Sequence, residues 1–97
     1  MSLVVVATYR SKPGREDELA AHLEAMLAPT RGESGCELYR VVRSREEPGT
    51  FVLFESYLDD DALEEHKASR HFDEHIRNGA WQLIDSREVV LGAELDL

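Results

Sequence analysis

The chain has 97 residues, of which 42% are apolar and 32% are charged, and its formal net charge is −9. The length predicts a single domain over residues 1–97, and the composition is typical of a soluble globular protein. The acidic balance excludes the basic surface that nucleic-acid binding normally requires, and it disfavours an anionic membrane surface.

The cysteine count and the apolar segments indicate in which cellular compartment the protein is expected. Cys36 is the only cysteine, so an intrachain disulfide and a cysteine-based zinc site are excluded. The apolar start of the chain lacks a basic segment, and no apolar run approaches the roughly 20 residues of a membrane span. A cytoplasmic protein with neither a membrane nor a nucleic acid as partner is therefore expected.

The first half of the chain predicts a strand, a helix and a second strand. Residues 3–9 (LVVVATY) are rich in β-branched side chains and predict a strand that is buried on both faces. An amphipathic helix is predicted from Arg15 to Ala28, and Pro29 is expected to end it. Its large apolar side chains share one face: Leu19, Leu23, Met26 and Leu27. Residues 36–43 (CELYRVVR) alternate in polarity and predict the second strand.

The second half predicts a strand, a helix and a last strand. Residues 51–58 (FVLFESYL) are the most aromatic stretch and predict the third strand. Three aspartates at 59–61 supply an N-cap for a second helix, which Asn78 interrupts. A short turn is expected near Trp81, and residues 87–95 (REVVLGAEL) predict the last strand.

The element order β-α-β-β-α-β predicts an α+β fold of the ferredoxin-like class, with a four-stranded antiparallel sheet and both helices on one face. Two helices cannot cover both faces of that sheet. We expect Phe51, Leu53 and Tyr57 of the third strand to lie on the uncovered face. An uncovered apolar face of this size usually marks an interface, which predicts a two-fold homodimer through the open face of the sheet.

His66 is the first candidate for chemistry. With Ala62 and Leu63 it shares the face of the second helix that turns toward the sheet. A histidine at the edge of an apolar face suits a general base, because its pKa lies near neutrality and is easily moved. The alternative is a partly buried histidine that hydrogen-bonds to a backbone group.

Glu55 is the second candidate, because it lies in the middle of an otherwise apolar strand, where a carboxylate is costly to bury unless it is paired. The structural interpretation is a cross-strand pair, for which Arg40 is a plausible partner. The functional interpretation is an acid/base group or a substrate anchor. Several aromatic side chains could stack against a substrate or simply fill a core: Tyr9, Tyr39, Tyr57 and Trp81.

His71 and His75 have the i, i+4 spacing that lets two imidazoles on a helix reach one metal ion. The sequence offers no obvious third ligand, so a solvated helix face is the favoured interpretation. No glycine-rich nucleotide motif occurs either. We therefore expect neither a metal nor an organic cofactor.

Several segments together carry a family pattern. They are KPG at 12–14, ESGC at 33–36, LYR at 38–40, FVLFESY at 51–57, DAL at 61–63 followed by His66, and SRHF at 69–72. In this combination, which covers nearly the whole chain, the sequence resembles the antibiotic biosynthesis monooxygenase family, a dimeric α/β-barrel group. The resemblance implies a homodimer with a small apolar pocket between the sheet and the helices of each subunit.

Some members of that family oxidise polycyclic phenols or quinols with O2 and without a metal or a flavin. The resemblance therefore implies a cofactor-independent monooxygenase that acts on a quinol or aromatic phenol, with His66 and Glu55 as its catalytic residues. The expected substrate-binding residues are Phe54, Tyr57, Phe72 and Trp81. The alternatives are a non-oxidative isomerase on the same scaffold and a non-catalytic dimeric ligand-binding or stress-related protein. A cavity beside His66 would favour catalysis, whereas a packed core there would favour the last alternative.

Overall fold

The computed structural model describes residues 2–95, whose four strands form one antiparallel sheet. The strands are β1 (Leu3–Ser11), β2 (Cys36–Arg43), β3 (Thr50–Tyr57) and β4 (Ile84–Gly92). Their spatial order is β2-β3-β1-β4, and all neighbouring pairs are antiparallel. This order, with one helical connection after β1 and another after β3, confirms the predicted ferredoxin-like class.

Each of the two predicted helical regions is divided into shorter segments. The segments are α1 (Glu16–Ala25), α2 (Leu27–Arg31), α3 (Asp60–Lys67), α4 (Arg70–Phe72), a π-helical turn (Asp73–Arg77) and a 3₁₀ turn (Ala80–Gln82). In the part of the chain that the structure describes, no helix is long and apolar enough to cross a membrane.

The first helical region does not end at Pro29 as predicted. Its break lies at Met26, between α1 and α2, and Pro29 lies inside α2. A proline is tolerated in the first turn of a helix, because the N–H that it lacks would have no partner within the helix there. The proline therefore accompanies a restart of the helix and does not mark its end.

The second helical region is organised by two capping side chains. The Asp59 carboxylate accepts a hydrogen bond from the Ala62 backbone N–H at 2.8 Å, which confirms that the aspartates begin this helix. Ser69 interrupts the region, because its Oγ accepts from the Phe72 N–H at 3.2 Å and starts α4 in a new direction. Thus α3 and α4 are separate helices, and the second one carries Phe72 to the sheet.

The helices cover the face of the sheet opposite to the one predicted. Phe51, Leu53 and Tyr57 are at most 2% exposed and are part of the core clusters under the helices, so the expectation that they lie on the uncovered face is wrong. Val52 and Phe54 point to the open face and are half-buried. Alternation along β3 separates its two faces correctly, but both faces are apolar, so the pattern cannot tell which one the helices cover.

The open face is apolar along one row that crosses the strands. Val6 of β1 lies between Phe54 of β3 and Val90 of β4, and Val90 is 63% exposed. On this face of β1 Val4 is buried, whereas Val6 and Thr8 are only half-buried. The prediction that β1 is buried on both faces therefore holds for the helix-covered face and only in part for the open face. This row is available to a partner.

Close contact between backbones sets the position of α3. A small cluster of Val5, Tyr57, Ala62 and Leu63 holds α3 against the sheet. A Cβ atom added at Gly35, just before β2, would collide with the Cβ of Ala62. The glycine therefore lets α3 approach the sheet closely enough to seat the next turn, which carries His66.

We predict that Gly35→Ala destabilises the fold by about 1–3 kcal/mol, because overpacking a tight contact forces the backbone to shift. The free energy of unfolding, measured by urea denaturation, checks this. Gly92→Ala is the matched control, since a Cβ at Gly92 meets nothing within 4 Å. Equal stabilities of the two variants would show that the contact does not set the position of α3.

Candidate functional site

A cavity of about 250 Å³ lies between the sheet and the segments α3, α4 and the 3₁₀ turn. Its apolar wall is made mainly by six side chains: Val5, Ala7, Leu63, Phe72, Val89 and Leu91. Its polar groups are Glu55, His66, Lys67, Arg77 and Arg87, and Tyr9 and Trp81 complete the wall. An apolar cavity with a few convergent polar groups is the usual form of a small-molecule site.

A second, larger recess of about 670 Å³ lies where the start of β1 and the end of β4 meet the aspartates at the start of α3. It is open to solvent, and among residues 2–95 the titratable side chains that line it are the three aspartates at 59–61. Size alone therefore does not identify the site, and the smaller cavity holds the groups that can perform chemistry.

His66 lies at the inner end of α3 and is only 2% exposed. Its Nδ1 lies 3.0 Å and 3.2 Å from the two carboxylate oxygens of Glu33. An ionised carboxylate only accepts hydrogen bonds, so Nδ1 donates and the lone pair is on Nε2. Nε2 lies 3.8 Å from Oε1 of Glu55, which also lines the cavity. The partner of His66 is therefore a side-chain carboxylate and not the backbone group of the alternative interpretation.

Glu33 lies in the loop between α2 and β2 and holds a second imidazole as well. His71 Nε2 lies 2.5 Å from Oε2 of Glu33, so one carboxylate joins α3 to α4 through two histidines. Within residues 2–95, Glu33, His66 and His71 are also the one set with ligand atoms close enough to surround a cation. Hydrogen bonds account for their arrangement, and we assign no metal site to it.

The i, i+4 histidines do not converge on one point. His71 turns toward Glu33, whereas Nδ1 of His75 lies 3.1 Å from Nδ1 of His22 on α1. The π-helical turn begins at Asp73, between the two histidines. Because a π turn has a wider period than an α-helix, it rotates His75 away from the direction that the spacing predicted.

Burial governs the protonation of His66. Loss of solvent lowers its pKa below the ordinary value, and the hydrogen bond and charge of Glu33 oppose this effect without reversing it. The imidazole is therefore neutral at neutral pH. A neutral imidazole that donates from Nδ1 and exposes Nε2 to a cavity has the form required of a general base.

Glu55 is buried on the same side of the sheet and is 6% exposed. Burial raises the pKa of its carboxyl to about 7, and the hydrogen bond from the Tyr57 hydroxyl at 2.6 Å opposes that rise. The proposed pairing with Arg40 is wrong, because Arg40 is exposed and lies opposite Phe54 on the open face. Adjacent residues on a strand point to opposite faces, so Glu55 and Arg40 cannot meet.

Aromatic rings surround His66 and extend along the cavity. The Tyr57 ring lies 5.2 Å from the imidazole, and Phe72 lies at the same centroid distance in an edge-on arrangement. Phe72 meets Trp81 at 5.6 Å with perpendicular rings. The Trp81 Nε1–H donates to the Tyr9 hydroxyl at 3.1 Å. These contacts fix the orientation of the aromatic wall.

The predicted site residues thus have different positions. His66, Glu55, Phe72 and Trp81 meet at the cavity. Tyr57 supports Glu55 and His66 from behind the wall and does not line it. Phe54 is on the opposite face of the sheet, so the structure does not bring it to the cavity, and we withdraw it from the candidate site.

Four charged residues of the site were missed by the functional interpretation of the sequence: Glu33, Lys67, Arg77 and Arg87. Glu33 belongs to a loop distant in sequence from His66, and only the tertiary fold joins them. Lys67, Arg77 and Arg87 have other charged residues near them in the sequence, so nothing there distinguishes them from ordinary surface charges. The available signals were the segment ESGC at 33–36, which contains Glu33, and the position of Lys67 directly after His66.

The fold and the site together define a ferredoxin-like α+β domain with a small cavity in which a histidine and a carboxylate face an aromatic wall. The family model for antibiotic biosynthesis monooxygenase matches residues 2–78, and the chain belongs to that family.

Individual relatives agree with that assignment. A Mycobacterium tuberculosis protein named "Putative monooxygenase Rv0793" is 40% identical over 70 residues, which are 72% of this chain and 68% of that protein. The solved structure of Rv0793 has a TM-score of 0.90 and 35% identity and covers 100% of this chain and 98% of that one. The structure of PA3566 from Pseudomonas aeruginosa has a TM-score of 0.92 at 30% identity, covering 98% and 95%.

We predict that Glu55→Gln changes the pH dependence of stability. The folded carboxyl has a pKa of about 7, above its ordinary value of 4.5, so between these values the native state holds a proton that the unfolded state has lost. Stability therefore falls by about 3 kcal/mol as pH rises through that interval. Glutamine keeps an acceptor for the Tyr57 hydroxyl and cannot ionise. The variant therefore does not lose this stability as pH rises, and at pH 8 it should have a larger free energy of unfolding than the wild type.

Urea denaturation from pH 4.5 to pH 8 measures the difference in unfolding free energy between variant and wild type. His66 is present in both proteins, so its own pH-dependent contribution largely cancels in this difference. Glu65→Gln, at an exposed position of α3, is the control and should give a difference that does not vary with pH. A flat profile for Glu55→Gln as well would show that Glu55 is ionised at neutral pH.

Proposed function

We propose that the protein is a monooxygenase that oxidises a quinol or aromatic phenol with O2 and without a bound cofactor. The single observation that carries this proposal is the position of His66, whose Nε2 faces a cavity with an aromatic wall while Nδ1 is held by Glu33. Family membership supports an oxidoreductase of the monooxygenase class.

The chemistry starts with proton transfer. Nε2 of His66 takes the proton of a substrate hydroxyl, and the imidazolium that forms is stabilised by the Glu33 carboxylate. The quinolate is electron-rich and passes one electron to O2, which yields a semiquinone radical and superoxide. These combine to form a C–O bond at a ring carbon, and the imidazolium returns its proton to the peroxide.

Breakage of the O–O bond completes the reaction. The ring carbon loses its proton, the outer oxygen leaves as water, and the inner oxygen remains on the ring. In sum, a quinol and O2 become a hydroxyquinone and water, and all electrons that reduce O2 come from the quinol. Glu55 is placed to exchange a proton with His66 or with a substrate hydroxyl, since its carboxyl titrates near neutrality.

The shape of the cavity favours a planar aromatic ligand. Phe72 and Trp81 present perpendicular rings, and aliphatic side chains of β1 and β4 lie across from them. At the inner end of the cavity His66 is only 2% exposed, and limited access of water there strengthens the interaction of a reactive anion with nearby charges. A purely non-catalytic protein was expected to have a packed core beside His66. The cavity found there favours a catalytic role.

A second candidate is a non-oxidative isomerase that uses the same base. The charged side chains of the cavity favour it, since Glu55, Lys67, Arg77 and Arg87 could bind a polar substrate. His66 as the base and Glu55 as the acid, acting on one substrate, would then move a proton from one carbon to another. Turnover of a small phosphorylated keto sugar in the absence of O2 would support this candidate.

We propose that the protein works as a homodimer through the open face of the sheet. The row formed by Phe54, Val6 and Val90 is apolar, and Val90 and Val42 are 63% and 60% exposed on that face. Burying such a row in a symmetric partner removes apolar area from water. The dimer would also stabilise β1 and β4, which carry part of the cavity wall.

We predict that His66→Ala lowers kcat/KM for oxygen uptake with an active quinol by about 10²- to 10⁴-fold, because it removes the base. An oxygen electrode with a panel of quinols and naphthols measures this. His75→Asn is the control, since His75 contacts His22 and not the cavity. Unchanged uptake in His66→Ala would exclude His66 as the base.

We predict that Val90→Asp converts the dimer to a monomer, because it places an unpaired carboxylate in an apolar interface. Light scattering coupled to size-exclusion chromatography measures the mass. Glu65→Lys changes an exposed helix residue and should leave the mass unchanged. A wild-type protein of monomer mass would contradict the proposed dimer directly.

A further inference from the structure

The cavity concentrates positive charge in a strongly acidic protein. The chain has 11 lysines and arginines against 20 aspartates and glutamates, yet Lys67, Arg77 and Arg87 all line this one cavity of about 250 Å³. The negative group on the wall is Glu55, whose pKa near 7 leaves it partly neutral at neutral pH. The three cations keep contact with water, and Arg77 also lies 3.6 Å from the Asp73 carboxylate, so an anion is not needed to hold them there. An anion at the opening would nevertheless be attracted by all three.

Arg77 reaches the cavity because of the π-helical turn. Its guanidinium lies 4.8 Å from the centre of the Phe72 ring, five residues earlier. In an α-helix, residues five apart point about 140° away from each other. In the π turn, which is closed by the Asn78 N–H to Asp73 carbonyl bond at 3.0 Å, they lie on one side. The irregular turn therefore places a cation beside the aromatic wall.

Arg87 approaches the cavity from β4. Its guanidinium lies 4.1 Å from the centre of the Trp81 ring, which covers one face of the group. Among residues 2–95, no carboxylate lies within ion-pair distance of Arg87. The Tyr9 hydroxyl is a further hydrogen-bond partner of this guanidinium. Its remaining N–H groups suit a carboxylate in a bidentate arrangement.

Lys67 completes the group from α3, next to His66 in the chain. Its Nζ lies 3.6 Å from the Glu64 carboxylate, and the two side chains are 44% and 70% exposed, so that contact holds the ammonium only weakly. The ammonium can turn toward an anion at the cavity. The three cations thus come from three different elements and share one opening.

From these contacts we propose that the ligand of the cavity is an aromatic carboxylate, such as a hydroxylated naphthoate. The proposal rests on the proposed use of this cavity as the substrate site. The ring lies against Phe72 and Trp81, the hydroxyl faces Nε2 of His66, and the carboxylate accepts hydrogen bonds from Arg87, with Arg77 and Lys67 adding charge. The cationic rim also raises the rate at which anions reach an otherwise acidic molecule.

The test compares two probes that differ by one carboxylate, 1-naphthol and 1-hydroxy-2-naphthoate, by titration calorimetry with the full chain. We expect the naphthoate to bind at least about tenfold more tightly, which corresponds to about 1.4 kcal/mol. Raising the salt concentration should weaken the naphthoate and leave the naphthol unchanged. Quenching of Trp81, the only tryptophan, should accompany binding and report that the ligand is in the cavity.

Variants identify the cations responsible. Arg87→Gln should weaken the naphthoate about tenfold and change the naphthol less than about twofold, because a hydrogen bond to a charged group is lost and the aromatic contacts remain. Arg15→Gln is the matched control, since it removes the same charge from an exposed residue that pairs with Glu18 at the start of α1 and does not line the cavity. Lys67→Gln should give a smaller loss than Arg87→Gln.

The outcomes separate this proposal from the proposed oxidation. If the two probes bind equally, or if Arg87→Gln and Arg15→Gln lose equal affinity, the ligand is not an aromatic carboxylate, even if neutral quinols consume oxygen. Preferential and Arg87-dependent binding of the naphthoate supports it even if no hydroxylated naphthoate consumes oxygen, a result that would count against the oxidation alone. His66→Ala should still bind the naphthoate, since His66 does not contact the carboxylate.

Discussion

The carboxylate of Glu33 is the contact on which the site depends. It accepts from Nδ1 of His66 and from Nε2 of His71, and so it joins α3, α4 and the loop before β2 at one point. This bond decides which nitrogen of His66 keeps its proton. Without it, burial alone would leave a neutral imidazole with no fixed tautomer. With it, the lone pair faces Glu55 and the cavity.

That contact is possible because the helices break where they do. Ser69 caps α4 and turns the chain, so that His71 comes back toward Glu33 and Phe72 reaches His66. The π turn that follows moves Arg77 over Phe72. A single continuous α-helix would have aligned His71 with His75 and turned Arg77 away from Phe72. Irregular geometry in this region is therefore what builds the site.

Sequence patterns were reliable where one physical signal dominated. The β-branched and alternating segments marked the four strands, and the aspartates marked the start of the second helical region. Sequence patterns gave wrong predictions where a segment was compatible with two structures. Both faces of β3 are apolar, so the covered face was assigned wrongly, and Phe54 was taken for a site residue. Pro29 was read as a stop, although a proline is also compatible with the first turn of a new helix.

The sequence by itself determined the fold class and the element order, and it identified His66 and Glu55 as unusual. Local periodicity and the position of polar residues within apolar segments are enough for that, because they depend only on neighbours along the chain. Only the tertiary structure decided which groups surround those two residues. Glu33 is 33 positions away from His66, and Arg87 approaches from the last strand. Such partners are joined by packing between distant segments, and no local pattern records that packing.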